Sequence, residues 1–343
     1  MKTAILGATG LVGRIMLSYL SERSWIDADP LLLGTARSLG SSLPFRGRQL
    51  PCRDVARTDL TDIDLALFSA GAAASRLYGP LLRDHGAWVV DNSSAFRMDP
   101  EVPLVVPEIN GGLVPRRDAG ARSGGIVANP NCSTIQIALA LAPLQAAGGL
   151  REVHVTTLQA VSGAGRRAAD QLERETEASL SGQSLTAASG DQAGEGVFPQ
   201  PIAFNVLPAI GSGASDGSYE EEIKVVRELR KILAQPELVT TCTAIRVPVR
   251  NGHGAAVRVV LKREVDLVEV RTTMARWRGL TVSADPLDYT TPLQADGHTE
   301  VHVGRLRYET GRRDALLFWV VADNLRKGAA WNAVQIADLL AGD

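Results

Sequence analysis

The chain has 343 residues, of which 45% are hydrophobic and 22% charged, and its formal net charge is -2. These values are typical of a globular protein long enough for two domains, and they give no reason to expect nucleic acid as a partner. The three cysteines, Cys52, Cys132 and Cys242, are too widely spaced for a metal cluster or a disulfide framework, which predicts a protein of the reducing cytoplasm without a bound metal. Neither a signal peptide nor an apolar stretch that could cross a bilayer is present, so we expect no membrane contact.

The first third of the chain alternates strands with helices. A short buried strand at 3–6 leads into a glycine turn, and 11–21 has the periodicity of a helix. Further strands are predicted at 31–34, 64–69 and 88–90, with a helix at 72–85. This alternation predicts an α/β fold whose first domain is a Rossmann-type, doubly wound parallel sheet.

The pattern changes after Cys132. Strands are predicted at 153–160, 241–249, 255–262 and 299–307, a helix at 265–277, and a final helix at 324–340. Strands grouped in this way predict an α+β domain on a mostly antiparallel sheet. We therefore place the first domain at 1–130, completed by the C-terminal helix 324–343, and the second domain at 131–323.

Three glycines, Gly7, Gly10 and Gly13, lie between the first strand and the first helix. A turn of this kind lets the backbone approach a pyrophosphate at a helix N-terminus, whereas the alternative is a glycine-rich turn without a ligand. After the second strand, where an acidic residue would hold the ribose of NAD, the chain has Arg37 and Ser38. They can bind a 2′-phosphate, which predicts NADP, unless Arg37 is only a solvated loop charge.

The segment Asn129–Thr134, with the sequence NPNCST, places Cys132 in a turn just before the apolar run 135–144. A thiol at a helix N-terminus is favoured as the thiolate, the form that attacks carbonyl groups. Cys52, which follows Pro51 in a polar stretch, is predicted to lie in a loop, and Cys242 to be a small core residue. A cofactor turn and a poised thiol together indicate oxidation or reduction through a thioester.

Of the five histidines, His253 is the best candidate for proton transfer, because it lies between Gly252 and Gly254 in a predicted open loop between two strands. His154 is predicted to be a structural or paired residue. The remaining histidines are assigned to a helix end, His85, and to the surface, His298 and His302.

Three cations can bind anionic groups. Arg246, on the strand before His253, can hold a carboxylate through two parallel hydrogen bonds. Arg97 and Lys224 can hold a phosphate. For each of the three, the default interpretation is a solvated surface charge.

Seven segments, in consistent order and spacing, resemble the aspartate-semialdehyde dehydrogenase family from the first strand to the last helix. They are GATGLVG at 7–13, SSAFR at 93–97, VPEIN at 106–110, NPNCST at 129–134, QAVSGAG at 159–165, RVPV…GH at 246–253 and DNLRKGAAWNAVQIA at 323–337. The family converts aspartyl β-phosphate, NADPH and a proton into aspartate β-semialdehyde, phosphate and NADP. The resemblance therefore implies these substrates, NADP as the cofactor, and a role in the biosynthesis of lysine through diaminopimelate, threonine, methionine and isoleucine.

The resemblance also implies roles for single residues. Cys132 is similar to the nucleophile, His253 to the general acid/base and Gln159 to the residue that orients the intermediate. Arg246 resembles the clamp on the substrate α-carboxylate, and Glu221 the partner of the amino group, with Glu222 as the alternative. The phosphate-site residues are implied to be Arg97, Asn131 and Lys224. Cofactor contacts are implied for Thr9, Gly10, Leu11, Val12, Arg37, Ser38, Ser162, Gly163 and Asn324, the last of which is expected in a final helix that returns to the first domain.

The chain departs from the family in two places: Gly254 follows the histidine where the family often has serine, and the stretch GSGASDGS at 211–218 is unusually small. The nearest rival is N-acetyl-gamma-glutamyl-phosphate reductase, whose cysteine context is closer to NPGCY. Glyceraldehyde-3-phosphate dehydrogenase shares the mechanism but has a different cysteine motif. A catalytically silent nucleotide-binding paralogue is the rival from another class.

The family resemblance further implies a homodimer built through the second domain, in some members paired into a homotetramer. The apolar strand positions either serve that contact or belong to the ordinary core. They are Val153, Val155, Val257 and Val259.

Overall fold

The structure, a computed structural model, describes residues 1–115, 123–185 and 196–342, without the side chain of Arg37. The described chain forms two compact units, Met1–Asn131 with Gly328–Asp343, and Cys132–Lys327. Each unit is built on one sheet. The first sheet is largely parallel and the second is largely antiparallel, which confirms the predicted fold class.

The first unit contains a seven-stranded sheet in the order β3-β4-β2-β1-β5-β6-β7, in which every pair is parallel except β3–β4. Its strands are β1 Thr3–Leu6, β2 Leu31–Gly34, β3 Ser42–Phe45, β4 Arg48–Asp54, β5 Leu65–Phe68, β6 Trp88–Asp91 and β7 Gly125–Ala128. Its helices are α1 Leu11–Leu20, α2 Ala72–Asp84, α3 Pro107–Asn110 and, from the end of the chain, α9 Trp331–Ala341. The strands β1, β5 and β6 are buried along their whole length because helices cover both faces of such a sheet.

The strands β3, β4 and β7 are absent from the sequence prediction. Each of the first two contains a proline, which is a poor strand former. Pro44 is tolerated because β3 is the edge strand of the sheet, and Pro51 precedes Cys52, where the pairing of β4 with β2 begins. Cys52 lies in β4 and is buried, so its prediction as a loop residue is wrong.

The second unit contains a six-stranded sheet in the order β11-β12-β13-β10-β8-β9. Its strands are β8 Leu150–Gln159, β9 Val239–Arg246, β10 His253–Leu261, β11 Leu280–Val282, β12 Val301–Tyr308 and β13 Ala315–Ala322. Three of the five pairings are antiparallel, as predicted, and β8–β9 and β11–β12 are parallel. Its helices are α4 Cys132–Gly148, α5 Arg166–Leu180, α6 Glu220–Ile232, α7 Leu267–Ala275 and α8 Pro292–Ala295.

Helix α4 is the centre of the second unit. Its own side chains are apolar on every face, and most of its residues are buried. This is expected of a helix that has protein on all sides. It packs against the sheet and against α6 and α7. The four valines considered for a subunit contact, Val153, Val155, Val257 and Val259, are buried within the chain itself, so they belong to the ordinary core.

The end of the chain differs from the predicted helix 324–340. Asn324 lies in the turn after β13, and the five-residue π-helix Arg326–Ala330 separates it from α9. The expectation that Asn324 sits in the final helix is therefore wrong. The helix α9 is grouped with the first unit, where it packs against α1. Among the described residues, no helix combines the length and apolarity that crossing a bilayer requires.

Candidate active site

The glycine turn of the first unit is shaped for close backbone approach. Gly7 has a φ of +90°, and a Cβ there would lie 2.4 Å from the carbonyl oxygen of Ser69. A Cβ on Gly13 would lie 2.3 Å from the carbonyl oxygen of Gly7, so neither glycine can be replaced without moving backbone. Gly10 is the N-cap of α1 and has no side-chain capping bond. The exposed amide end of this helix is where a pyrophosphate binds in such folds.

The other predicted cofactor contacts of the first unit surround this turn. Thr9, Gly10, Leu11 and Val12 are at least partly exposed, and Thr9 Oγ1 lies 3.1 Å from Ser38 Oγ. The turn and the end of β2 are thus brought together, as a dinucleotide site requires. The side chain of Arg37 lies outside the described part of the structure.

Arg97 and Asn131 are buried in the first unit, so Arg97 is not the solvated charge of the default interpretation. Arg97 Nε donates to the carbonyl oxygen of Asn129 (3.0 Å), and Nη2 donates to that of Asn92 (2.9 Å). The side chain of Asn129 in turn donates to Asn92 Oδ1 (2.6 Å) and accepts from Asn332 on α9 (2.7 Å). Sequence reasoning missed this asparagine network, because its members are about 40 to 240 residues apart in the chain.

Cys132 is the first residue of α4 and is partly exposed. The positive end of the helix dipole therefore acts on its sulfur. The other two thiols are less reactive. Burial raises the pKa of Cys52, and burial followed by the charges of Glu222 and Glu221 raises the pKa of Cys242 to about 12.

Arg246, the last residue of β9, is 5% exposed. Its Nη1 donates to the carbonyl oxygen of Ala160 (2.7 Å), and its guanidinium lies 5.9 Å from the ring centre of Phe198. Burial lowers the pKa of Arg246, and the negative charges of Glu221 and Cys132 partly offset that shift. The buried guanidinium of Arg246 thus interacts electrostatically with both the Cys132 thiol and the Glu221 carboxylate.

Gln159 ends β8 and is 1% exposed. Its Nε2 donates to Glu221 Oε1 (3.2 Å) and lies 3.3 Å from Thr157 Oγ1. Lys224, one turn further along α6, lies 3.8 Å from Glu221 and 2.7 Å from Glu220. The strand β8 and the helix α6 thus bring an amide, a carboxylate and an ammonium group together.

Glu222 faces a different set of partners from Glu221. One of its oxygens accepts from the backbone amide of Tyr219 (2.8 Å), which closes a capping box at the start of α6, and the other accepts from that of Ala244 on β9 (3.0 Å). Both carboxylate oxygens of Glu222 are therefore engaged with the backbone, whereas Glu221 contacts the side chains of Gln159 and Lys224.

His253 is the first residue of β10 and is 0% exposed, so the prediction that it lies in an open loop is wrong. Its Nδ1 accepts a hydrogen bond from the backbone amide of Ala160 (3.1 Å). Burial, followed by the positive charge of Arg246, lowers the pKa of His253 to about 3.

The other histidines lie away from these groups. His154 is paired as predicted, with Thr241 Oγ1 (2.9 Å) and Glu152. His85 ends α2, also as predicted. His302 is half-buried in β12 rather than on the surface, and burial, followed by the charge of His298, lowers its pKa.

Ser162, Gly163 and Asn324 meet beside His253. Ser162 Oγ donates to Asn251 Oδ1 (2.9 Å) and lies 2.9 Å from Asn324 Nδ2, and Asn324 Oδ1 accepts from the amide of Gly252 (2.8 Å). A Cβ on Gly163 would lie 3.0 Å from His253 Nε2 and 3.1 Å from Arg246 Nη1. The second unit therefore gathers the predicted residues Gln159, Ser162, Gly163, Glu221, Lys224, Arg246, His253 and Asn324 around β8, β9, β10 and α6.

Comparison with known proteins finds one family model that matches residues of the first unit and one that matches residues of the second unit. Residues 2–114 match the family model "Semialdehyde dehydrogenase, NAD binding domain", and residues 141–327 match "Semialdehyde dehydrogenase, dimerisation domain". The aspartate-semialdehyde dehydrogenase of Aquifex aeolicus is 41% identical over 342 residues, covering 99% of this chain and 97% of that protein. That of Bacillus subtilis is 39% identical over 340 residues, covering 98% and 96%.

A solved structure agrees with these relatives. The aspartate semialdehyde dehydrogenase II of Vibrio cholerae, described as complexed with ASA, superposes with a TM-score of 0.92 at 39% identity, covering 100% of this chain and 98% of that chain. Such identity over full length specifies family as well as fold. The chain belongs to the aspartate-semialdehyde dehydrogenase family, whose members are oxidoreductases of amino-acid biosynthesis.

Proposed function

We propose that the chain catalyses the NADP-dependent reductive dephosphorylation of L-aspartyl 4-phosphate to L-aspartate 4-semialdehyde, through a thioester on Cys132. The observation that carries this proposal is the partly exposed thiol at the start of α4, on which the buried guanidinium of Arg246 acts. A thiolate is the nucleophile that an acyl phosphate requires, and because the acyl phosphate is already activated, the reaction needs no metal. We also propose that the semialdehyde serves the biosynthesis of threonine, methionine and isoleucine, and that of lysine by way of diaminopimelate.

The Cys132 thiolate attacks the acyl carbon, the bond from that carbon to the phosphate oxygen breaks, and phosphate leaves with the proton that the reaction consumes. NADPH, when bound, supplies the hydride that reduces the thioester. The carbon–sulfur bond then breaks, which releases the aldehyde and returns the thiolate.

The groups around Cys132 suit an amino-acid substrate. In this proposal Arg246 holds the α-carboxylate, Glu221 meets the ammonium group, and Gln159 orients the acyl group. Glu221 is favoured over Glu222 because the backbone engages both oxygens of Glu222. A carboxylate suits the free ammonium of an aspartyl substrate better than the uncharged amide of an N-acetylated one, which argues against N-acetyl-gamma-glutamyl-phosphate reductase.

Phosphate is assigned to Arg97, Asn131 and Lys224. The buried Arg97, fixed by two backbone carbonyls, offers a preorganised cation for a dianion. Lys224 is less enclosed and pairs with Glu220. A bound phosphate dianion can therefore replace the exposed Glu220 as the ion-pair partner of Lys224.

The cofactor is assigned to the glycine turn of the first unit. The amide end of α1 and the space kept by Gly7 and Gly13 fit a pyrophosphate. Thr9, Gly10, Leu11, Val12, Arg37 and Ser38 are proposed contacts there, with Ser162, Gly163 and Asn324 from the second unit. NADP is preferred over NAD because Arg37 and Ser38 follow β2, where an acidic residue would select NAD.

The test follows NADP reduction with aspartate semialdehyde and phosphate. The wild type is expected to turn over, Cys132→Ala to lose turnover while still binding NADP, and the matched control Cys242→Ala to stay active. Turnover in Cys132→Ala would reject the thioester route. Activity with the N-acetylglutamate analogue alone would support the rival reductase, and absence of both activities would support a silent paralogue. Arg37→Ala should weaken the binding of NADP more than the binding of NAD.

We also propose a homodimer formed through the second unit. One face of its sheet is covered by α4, α6 and α7. On the other face, α8 packs against β13 and Trp319 Nε1 donates to the carbonyl oxygen of Thr290 (2.8 Å), but residues of β8, β9, β10 and β13 stay at least partly exposed. They include Thr156, Leu158, Thr241, Thr243, Ile245, Ala256, Arg258, Leu317 and Trp319. A sheet face with exposed apolar and hydroxyl-bearing positions of this kind is suited to pack on a second copy.

A further inference from the structure

Glu220 is the first residue of α6 and lies just after the unusually small stretch 211–218. Its amide donates to the carbonyl oxygen of Ser212 (2.9 Å). Gly211 has a φ of +85°, and a Cβ there would lie 2.9 Å from Glu220 Cβ, which is closer than two such atoms approach. The small stretch therefore fixes the backbone of Glu220 and leaves room for its side chain.

The side chain of Glu220 pairs with Lys224, one turn further along α6. Glu220 Oε1 lies 2.7 Å from Lys224 Nζ, so the two groups are hydrogen-bonded as well as oppositely charged. Glu221 Oε2 lies farther from the same ammonium, at 3.8 Å. The hydrogen bond and the charge of Lys224 lower the pKa of Glu220. Among the described residues, Glu220 is therefore the principal partner of Lys224.

The two carboxylates near Lys224 differ in how easily a ligand can displace them. The side chain of Glu220 is 47% exposed, whereas that of Glu221 is 10% exposed. An ion pair with an exposed partner contributes little free energy and is screened by salt. Glu221 also accepts a hydrogen bond from Gln159 (3.2 Å). Glu220 can therefore leave Lys224 while Glu221 stays in place.

Helix α6 does not depend on Glu220 for its cap. Glu222 closes the capping box with Tyr219, and Glu221 and Glu222 already place two carboxylates in the first turn. A third carboxylate there is repelled by the other two unless a cation offsets its charge. Lys224 supplies that cation, so the charge of Glu220 acts on the site mainly through Lys224.

We propose that Glu220 is a built-in competitor of the substrate phosphate for Lys224, so that Lys224 exchanges one anion for another when the substrate binds. This inference rests on the proposed function, in which Lys224 belongs to the phosphate site. A phosphate dianion carries two charges against the one of a carboxylate, so it can displace Glu220, whereas a monoanion gains nothing by the exchange. Glu220 thereby sets the affinity for phosphate and takes no part in the chemistry.

The first test is steady-state kinetics with NADP, aspartate semialdehyde and varied inorganic phosphate. Glu220→Gln keeps the length of the side chain and an oxygen that accepts from Lys224, so it removes only the charge. We expect KM for phosphate to fall about two- to fivefold, the range that an exposed ion pair spans. Because Glu220 acts only through Lys224, kcat and KM for the semialdehyde should each change by less than about twofold.

Glu237→Gln is the matched control, because Glu237 is exposed and its replacement removes one negative charge that is not paired with Lys224. It should leave KM for phosphate unchanged. An unchanged KM for phosphate in Glu220→Gln would overturn the proposal. A rise in KM for both phosphate and the semialdehyde would also overturn it, and would mean that Glu220 holds Lys224 away from Glu221.

Phosphate binding without turnover separates this inference from the proposed function. A ³¹P NMR titration of inorganic phosphate should show tighter binding to Glu220→Gln than to the wild type, and this difference should largely disappear when both carry Lys224→Met. A difference that persists in the Lys224→Met background would overturn the proposal. If the expected difference is found but the wild type lacks semialdehyde activity, the proposed function fails and the competitor role stands. Turnover with equal phosphate affinity in the two proteins would have the opposite meaning.

Discussion

Gly163 shows at the scale of one residue how a missing side chain shapes the candidate site. It lies in a 3₁₀ turn, Val161–Ala164, and its φ is not in the left-handed region, so backbone strain does not require glycine there. What requires glycine is the space taken by His253 and Arg246. The family resemblance implies a cofactor contact at Gly163, and the structure adds a second reason for a glycine at this position.

We predict that Gly163→Ala lowers kcat/KM for aspartate semialdehyde by about 10-fold, less than the roughly 10²-fold loss typical of a 1 Å displacement. The methyl group would lie 3.0 Å from His253 Nε2 and 3.1 Å from Arg246 Nη1, which is tight enough to shift one of these side chains by a few tenths of an ångström. Steady-state kinetics measures the loss. Gly213→Ala is the matched control, since its Cβ would meet nothing closer than 3.6 Å. Equal kinetics in the two variants would contradict the prediction.

The buried His253 also predicts how stability depends on pH. Its folded pKa, about 3, is below the ordinary value of 6.5, so the unfolded chain binds more protons between these values. Its contribution to stability is complete above pH 6.5 and is lost as the pH falls towards 3, by about 1.4 kcal/mol per pH unit. Urea unfolding at pH 7.5, 6.0 and 5.0 should show a shallower pH dependence in His253→Gln than in the wild type. Parallel curves would show that His253 is not held neutral.

At the scale of elements, α5 holds the segment that packs against Arg246. Glu175 and Gln171, one turn apart on α5, are both buried. Glu175 accepts from Gln171 (2.7 Å) and from the amides of Ile202 (2.6 Å) and Ala203 (2.9 Å). The same segment carries Phe198, whose ring lies against the Arg246 guanidinium, and Leu207, which exchanges two backbone hydrogen bonds with Arg246.

We predict that Glu175→Ala destabilises the protein by about 2–4 kcal/mol, since it leaves two buried amide donors without an acceptor. It should also raise KM for the semialdehyde, because the segment packed on Arg246 loosens. Urea unfolding and kinetics measure the two effects. Glu177→Ala, an exposed glutamate on the same helix, is the control and should change stability by less than about 0.5 kcal/mol. Equal stabilities of the two variants would show that Glu175 does not hold the segment of Ile202 and Ala203 in place.

At the scale of the whole molecule, the partly exposed sheet face of the second unit is the surface proposed to contact a second copy. Ala256 and Trp319 are directly opposite each other on β10 and β13, near the middle of that face. Ala256 is exposed and Trp319 is partly exposed. An isologous dimer would bury the same face of both copies.

We predict that Ala256→Glu converts the proposed dimer into a monomer, because it would place a carboxylate from each copy in the interface. Sedimentation velocity at low concentration measures the change. Val268→Glu on α7 is the control, since Val268 is 71% exposed away from the sheet and should leave the assembly intact. Unchanged sedimentation of Ala256→Glu would place the contact elsewhere, and a wild-type species of four subunits would indicate the paired tetramer.

The sequence by itself determined the features that local rules encode. The strand–turn–helix at Gly7–Gly13 follows from hydrophobic periodicity and from the steric demands of glycine. The helix that begins at Cys132 follows from the apolar run 135–144 behind a polar turn. The alternation of elements determined the doubly wound sheet for the same reason. Arg246 was placed correctly on a strand before His253, since a run of alternating residues is a local signal.

Only the tertiary structure decided which of these residues face one another. Glu221 and Glu222 are adjacent and chemically identical, yet they point about 100° apart around α6, so one meets Gln159 on β8 and the other the backbone of β9. The burial of His253, its bond from Ala160 and the strand position of Cys52 likewise depend on partners far away in the chain. Long-range packing sets burial, and burial sets the protonation of a side chain, which is why no local pattern predicted the state of the histidine.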